Sequence, residues 1–331
     1  MIVVWRVTEH CNLACRFCAY DRGLRRSRRN AEERDVLAFG SALAGYQRVS
    51  GDAVLVSWLG GEPLLWKPLP RLTRTFVRDL GLRVSATTNG TALASAEVRA
   101  HVLEYYDQLT ISVDGFSETH DRVRGWRGGF NLLRGIVPLL ARHRTERRTP
   151  LLRANIVLMH DNVGEFASLC LELASWGIDE ITFNQLGGND RPEFWAEHRL
   201  RPADVEVLGD AMLSLRDRLA AQGVRLSGGE RYLERIRSSA AGRRLPVRDC
   251  GPGERFLFVS ERGIVAPCSF TSDEIGVPIT ELSGADELLA LPARFAAARD
   301  RRRSALTVCG DCPSTQVFAK FDSTHGESTR P

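Results

Sequence analysis

The sequence predicts an α/β fold built on a parallel sheet, and three observations carry that reading. Short β-rich runs alternate with helical patterns over the first two-thirds of the 331 residues, which implies right-handed βα units. Several of the runs are apolar on both faces, as a helix-covered sheet requires. Polar and glycine-rich motifs follow most of them, at the carboxyl ends where barrel folds place their sites.

In chain order the strands fall at Ile2–Val7, Val54–Trp58, Leu82–Ala86, Leu109–Val113, Leu152–Leu158 and Ile178–Phe183. Between the last two, Val163, Phe166, Cys170 and Leu173 recur at helical spacing and mark a buried stripe, which makes Cys170 a core residue rather than a ligand. Leu208, Met212, Leu215 and Leu219 form a second stripe on a helix that ends near Gly223. Beyond residue 245 the pattern changes to a hairpin, Phe256–Ser260 and Ile264–Ala266, with Gly263 supplying the positive φ of its turn. The polar, aperiodic end of the chain predicts a frayed tail.

At 43% hydrophobic content the chain can build one large domain plus a smaller one with substantial cores. No apolar run approaches the ~18–20 residues of a membrane span. No targeting segment is evident, so a cytoplasmic protein is the default expectation. The net charge is +4, and the 45 basic residues, only Lys67 and Lys320 of them lysines, are nearly balanced by 41 acidic ones. The clusters Arg25-Arg26-Ser27-Arg28-Arg29 and Arg299-Asp300-Arg301-Arg302-Arg303 therefore read as solvated basic faces rather than a nucleic-acid surface.

Three cysteines, Cys11, Cys15 and Cys18, sit within eight residues directly after the first strand. Cysteine thiolates normally ligate all four irons of a [4Fe–4S] cubane. Three on one loop can grip three corners and leave the fourth iron open to a small molecule. A zinc site usually closes with a fourth protein ligand, and His10 is badly placed to share a metal with Cys11. A disulfide framework would need an oxidising compartment. With Phe17 just before the third cysteine, the triplet resembles the signature of the radical S-adenosylmethionine (radical SAM) superfamily, in which the open iron chelates the amino and carboxylate groups of SAM. The six βα units match that superfamily's partial (β/α)6 TIM-like barrel.

Other motifs extend the resemblance. Gly60-Gly61-Glu62-Pro63 follows the second strand: its glycines allow close backbone approach and its carboxylate can pair with an ammonium. It looks like the motif that binds the methionyl amino group. Asn89-Gly90 and Asp114-Gly115 read structurally as turns. In this order they resemble the subgroup carrying auxiliary clusters in a C-terminal SPASM or Twitch region. That resemblance implies that Ser112 and Arg124 hold the SAM carboxylate and that Asn89 lines the site. Asn155 and Asn184-Gln185 are further polar groups at the same rim.

A second set, Cys250, Cys268, Cys309 and Cys312, can saturate either zinc or a [4Fe–4S] cluster, and spacing alone does not choose. The resemblance points to a Twitch-type region with one auxiliary [4Fe–4S] cluster, since no cysteine follows Cys312. The implied organisation is a core barrel over residues 1–200, a helical connector over 201–249, the auxiliary region over 250–320 and a flexible tail over 321–331. The resemblance covers roughly residues 2–190 and 250–313.

The resemblance implies reductive cleavage of SAM to a 5′-deoxyadenosyl radical, fed by an electron donor such as flavodoxin or ferredoxin. Hydrogen abstraction followed by net oxidation is expected, with the auxiliary cluster as electron acceptor. Deprotonation needs a base, for which Tyr20, Asp21, His120 and Asp190 are candidates near the mouth. A ribosomally made peptide is the expected substrate. Reaching its first cluster at residue 11, the chain is expected to lack a leader-binding domain, so a stand-alone leader-peptide-binding protein is an expected partner. A small sugar, aminocyclitol or nucleoside is the alternative. A non-enzymatic electron carrier is disfavoured because it has no need of a SAM pocket.

Overall fold

The computed structural model describes residues 1–144, 149–188, 190–247, 249–318 and 320–321. Its first part is a run of strands and helices: β1 Ile2–Thr8, α1 Glu33–Ser50, β2 Leu55–Gly60, α2 Leu69–Arg78, β3 Arg83–Thr88, α3 Ala96–Tyr105 and β4 Gln108–Ser112. It continues through α4 Ser117–Arg124, α5 Gly129–His143, β5 Leu151–Leu158, α6 Phe166–Ser175 and β6 Glu180–Gln185. The six strands are parallel and lie side by side in chain order. All six overlap the strands expected from the sequence. The last starts two residues later than its apolar run, because Gly177 and Asp179 turn the chain first: Asp179 accepts from Leu152 N at 2.8 Å.

Period-two burial separates the two faces. Along β5, Leu152, Ala154, Ile156 and Leu158 are buried against the helical layer, while Arg153, Asn155 and Val157 are half-buried on the opposite, lumenal face. The outer face packs aromatics: Trp5 and Trp58 meet Phe76 of α2, with the Trp58 and Phe76 ring centroids 5.0 Å apart. Trp58 Nε1 finds Thr73 Oγ1 at 3.0 Å, so its buried polar atom is satisfied. Cys170 is fully buried on α6, as its spacing predicts.

Two additions extend the sheet at its ends. After β6 come α7 Pro192–His198 and α8 Pro202–Ala220, then the two-residue strand β7 Arg225–Leu226, which pairs parallel with β6, and α9 Glu230–Ala240. At the other end β8 Phe256–Val259 pairs parallel with β1, from Ile2↔Phe256 to Trp5↔Val259. The expected hairpin returns through β9 Ile264–Ala266, with Gly263 at φ 70°. After α10 Ser272–Ile275, β10 Val277–Pro278 pairs with β9, and α11 Ala285–Arg301 follows. The sheet thus runs β10-β9-β8-β1-β2-β3-β4-β5-β6-β7, an open, partial barrel. Of the expected tail, residues 322–331 lie outside the described residues; Phe321 is described and holds its ring 5.2 Å from Arg153. Among the described residues no helix is long and apolar enough to cross a membrane.

Candidate active site

The chain leaves β1 at Thr8 and wanders through residues 9–31 before α1, carrying Cys11, Cys15 and Cys18. Backbone carbonyls outside a ladder need donors. Arg28 supplies them to Tyr20 O at 3.0 Å and Asp21 O at 2.6 Å, and Arg26 supplies one to Ala19 O at 3.1 Å while pairing with Glu9. The Arg25–Arg29 cluster, expected as a solvated basic face, is therefore in part a clamp on the cysteine loop. Backbone N–H groups of Leu13 and Tyr20 point at the sulfurs of Cys11 and Cys18, at 3.5 and 3.4 Å.

The end of β2 closes against this loop. A Cβ on Gly61 would stand 2.2 Å from His10 O, and one on Gly60 would stand 2.5 Å from Thr8 O. The close approach that these glycines permit is thus to the chain itself. Glu62 is fully enclosed and accepts from Thr88 Oγ1 at 2.7 Å, Asn89 N at 2.6 Å and Leu64 N at 3.1 Å. Burial pushes its carboxyl up to about 7 against the pull of those three donors. Pro63 opens the short 3₁₀ turn that Glu62 caps.

Asn89 leans over the cysteines from the end of β3. Its Nδ2 lies 3.7 Å from Cys11 Sγ and 3.0 Å from Asn12 Oδ1. Ser112 ends β4 opposite Asn155. Arg124, in the last turn of α4, is nearly buried with its Nε 2.7 Å from Asp114 Oδ2, and its carbonyl faces Cys15 Sγ at 3.7 Å. The Arg124 guanidinium lies over the Phe17 ring at 5.5 Å, and Phe17 in turn packs 6.4 Å from Phe194. Asp114 was legible only as a turn residue, yet it is fully buried and also accepts from Val157 N at 2.8 Å. Asn12 likewise carried no local signal.

Burial pushes all three loop thiols up, Cys15 to about 12, and the Arg124 charge pulls each of them back. Three soft donors on one loop, with N–H groups aimed at their sulfurs and a guanidinium beside them, suit an iron–sulfur cubane with one iron left without a protein ligand. Among the described residues, no three His, Cys, Asp or Glu side chains close on a single metal ion.

The four expected bases are mostly committed elsewhere. Tyr20 OH receives Arg6 Nη1 at 2.6 Å, and burial pushes its phenol up to about 12. Asp21 holds Gly23 N at 2.7 Å and Arg191 at 3.2 Å. His120 does not reach the mouth: it is fully buried beside Trp126 and Phe130, its Nδ1 faces Asp114 N at 3.2 Å, and burial pushes it down to about 4. Asp190 is exposed.

Cys250 precedes β8, Cys268 follows β9, and after α11 Cys309 lies in the 3₁₀ turn Thr307–Asp311 and Cys312 caps its end. Burial raises the thiols of Cys250, Cys309 and Cys312, and the Cys268 thiol adds to the rise in each. The four are therefore gathered electrostatically. Arg299 of α11 reaches Cys250 Sγ at 3.8 Å and Asp249 at 3.0 Å. Asp311, between the last two cysteines, pairs with Arg235 of α9. A cavity of about 470 Å³ lined by Trp5, Arg29, Asp35 and Glu261 touches neither thiol set.

Comparison with known proteins accords with this geometry. The AdoMet-dependent heme synthase of Methanosarcina barkeri is 27% identical over 282 residues, 81% of this chain and 76% of that protein. The PqqA peptide cyclase of Xanthomonas euvesicatoria is 28% identical over 275 residues, 80% of this chain and 67% of that one. The M. barkeri Fe-coproporphyrin III synthase is 32% identical over 144 residues, so the match spans 33% of that protein. The fold matches Streptococcus suis SuiB with a TM-score of 0.62 at 15% identity, covering 98% of this chain and 68% of SuiB. The profile of the Radical SAM superfamily matches residues 5–173, half of the sequence and the whole stretch from the cysteine loop to α6. The chain belongs to the radical SAM superfamily of enzymes.

Proposed function

We propose that this enzyme oxidatively modifies a ribosomally made peptide, by crosslinking, thioether formation or dehydrogenation. The observation that carries the reading is the presence of two separate thiol sets, one beside Arg124 and one beside Arg299. Bound at the first, a [4Fe–4S] cluster and SAM supply hydrogen-abstracting radical chemistry, which the superfamily shares.

The chain's own residues bind and orient. Cys11, Cys15 and Cys18 would hold the cluster, with Asn89 and the Leu13 N–H aimed at the Cys11 sulfur and the Tyr20 N–H at that of Cys18. Arg124, anchored by Asp114, offers positive charge to the SAM carboxylate, with Ser112 beside it. Gly60 and Gly61 set the backbone edge for the amino group, while Glu62 and Pro63 hold that edge in place. Phe17 and Phe194 wall the loop against water. Cys250, Cys268, Cys309 and Cys312 would hold an auxiliary [4Fe–4S] cluster, which would supply an electron acceptor. A flavodoxin or ferredoxin would supply the first electron.

The PqqA peptide cyclase relative favours a peptide. The heme synthase relative, which covers as much of the chain, favours the competing reading, oxidation of a small molecule. Anaerobic incubation with SAM, reductant and each candidate substrate, read by mass spectrometry, separates them. The variant C11A/C15A/C18A should lose 5′-deoxyadenosine formation and keep about half its iron. Continued SAM cleavage by that variant would sink the first-site assignment.

A further inference from the structure

Lys320, one of two lysines in the chain, lies in the segment after Cys312 that closes the β6–β7 side of the sheet. Gly228 N donates to Lys320 O at 2.6 Å, which ties the segment to the chain beyond β7. The side chain is 4% exposed. Its Nζ donates to Asn184 Oδ1 at 2.9 Å, and Asn184 Nδ2 donates to Asn155 Oδ1 at 3.0 Å. Asn155, opposite Ser112 across the β4–β5 ladder, stands on the lumenal face. The amine therefore joins a chain of neutral amides leading to the strand ends where the SAM motifs sit. Among the described residues it has no carboxylate partner. A lysine enclosed this way needs either a counter-charge or a loss of its proton.

The charged and titratable groups around it settle which. From β5 comes Arg153, from β6 Glu180, and from α9 Arg231, Tyr232 and Arg235; Asp311 on the segment leading to Lys320 is held by Arg235. Glu180 is the one acid that acts on the amine, and it is already taken by Arg153, Arg225 and Ser227. Burial pushes the ammonium down to about 7, Arg153 adding to the push and Glu180 opposing it. The bases expected from the sequence are enclosed, paired or exposed.

We propose that Lys320 is the proton acceptor of the oxidation, its amine positioned at the lumenal face by Asn184, which Asn155 holds in turn. This rests on the oxidative reading above. The step balances as follows: the substrate C–H loses its hydrogen atom to the SAM-derived radical, and the neighbouring X–H proton passes to the Lys320 amine, which becomes an ammonium. One electron leaves to an iron–sulfur acceptor, and the new bond forms between C and X.

With only Lys67 and Lys320 present, lysine labelled with ¹³C at Cε gives two signals in the holoenzyme, assigned by the K320M variant. Lys67, which is exposed, supplies the second signal for comparison. The proposal expects a Lys320 midpoint near 7; one beside that of Lys67 overturns it, whether or not any substrate is turned over. With the peptide or small molecule that wild type converts, K320M and K320R should both lower product per 5′-deoxyadenosine by roughly a hundredfold. Wild-type product per 5′-deoxyadenosine should rise between pH 6 and 8. Rescue by K320R, which keeps the charge and cannot release it, or an unchanged ratio in K320M, overturns the base assignment. If wild type converts no peptide but does convert a small molecule, the peptide reading fails and the Lys320 tests run on that molecule.

Discussion

Glu62 shows how one side chain can be essential to a site without facing it. Its carboxylate gathers the ends of β2 and β3 through three donors, and burial lifts its pKa to about 7 from an ordinary 4.5. The folded state therefore holds the proton more tightly than the unfolded chain. The stability this contributes is full at low pH and is lost as pH climbs from about 4.5 to about 7, by about 3 kcal/mol. Urea unfolding at pH 5 and pH 7.5 should show that slope in wild type and not in the Glu62→Gln variant. Equal slopes would mean that the carboxyl titrates normally. The Gly-Gly-Glu-Pro run was readable as a motif, but the direction of its carboxylate was not: its donors come from Thr88 and Asn89, 26 and 27 residues away.

Helix α4 works as an arm that delivers Arg124. Its left-handed C-cap Gly125 lies against Ala14 of the cysteine loop, and its guanidinium is fixed by Asp114 at the end of β4. Removing one partner of a buried pair leaves an uncompensated charge, so Asp114→Ala should cost about 3–5 kcal/mol. A urea midpoint shift at unchanged slope measures it, and a loss below about 1 kcal/mol would show that Arg124 is held by something else. Periodicity and turn residues revealed the six principal strands and α6 because each leaves a local pattern. They were silent on β7, whose two residues carry no period. They were equally silent on the partner of β8, since a parallel neighbour about 250 residues away leaves no trace in either strand. Asp114, Asn12 and Lys320 escaped for the same reason: their meaning lies in contacts made across the fold.

The molecule joins its two cysteine sets through neighbouring parallel strands, β1 leading to Cys11 and β8 to the hairpin that ends near Cys268. If each set holds a four-iron cubane, reconstituted protein should carry about eight irons per chain. The variant C309A/C312A should fall to about four and make 5′-deoxyadenosine in excess of product. About four irons with one zinc in wild type would instead assign the second set to structural zinc.

The same pairing bears on how the chain is made. One flank of β1 is the residue run Ile2-Val3-Val4-Trp5, and its partner there is Phe256–Val259. Synthesis from the amino end leaves that flank without its neighbour until the last quarter of the sequence emerges, roughly 12–50 s at ordinary ribosome speeds. For that interval an apolar strand margin stands open, of the kind that recruits other chains. The hairpin of the second cysteine set is thus also the late-arriving selvedge that shuts the nascent barrel against aggregation.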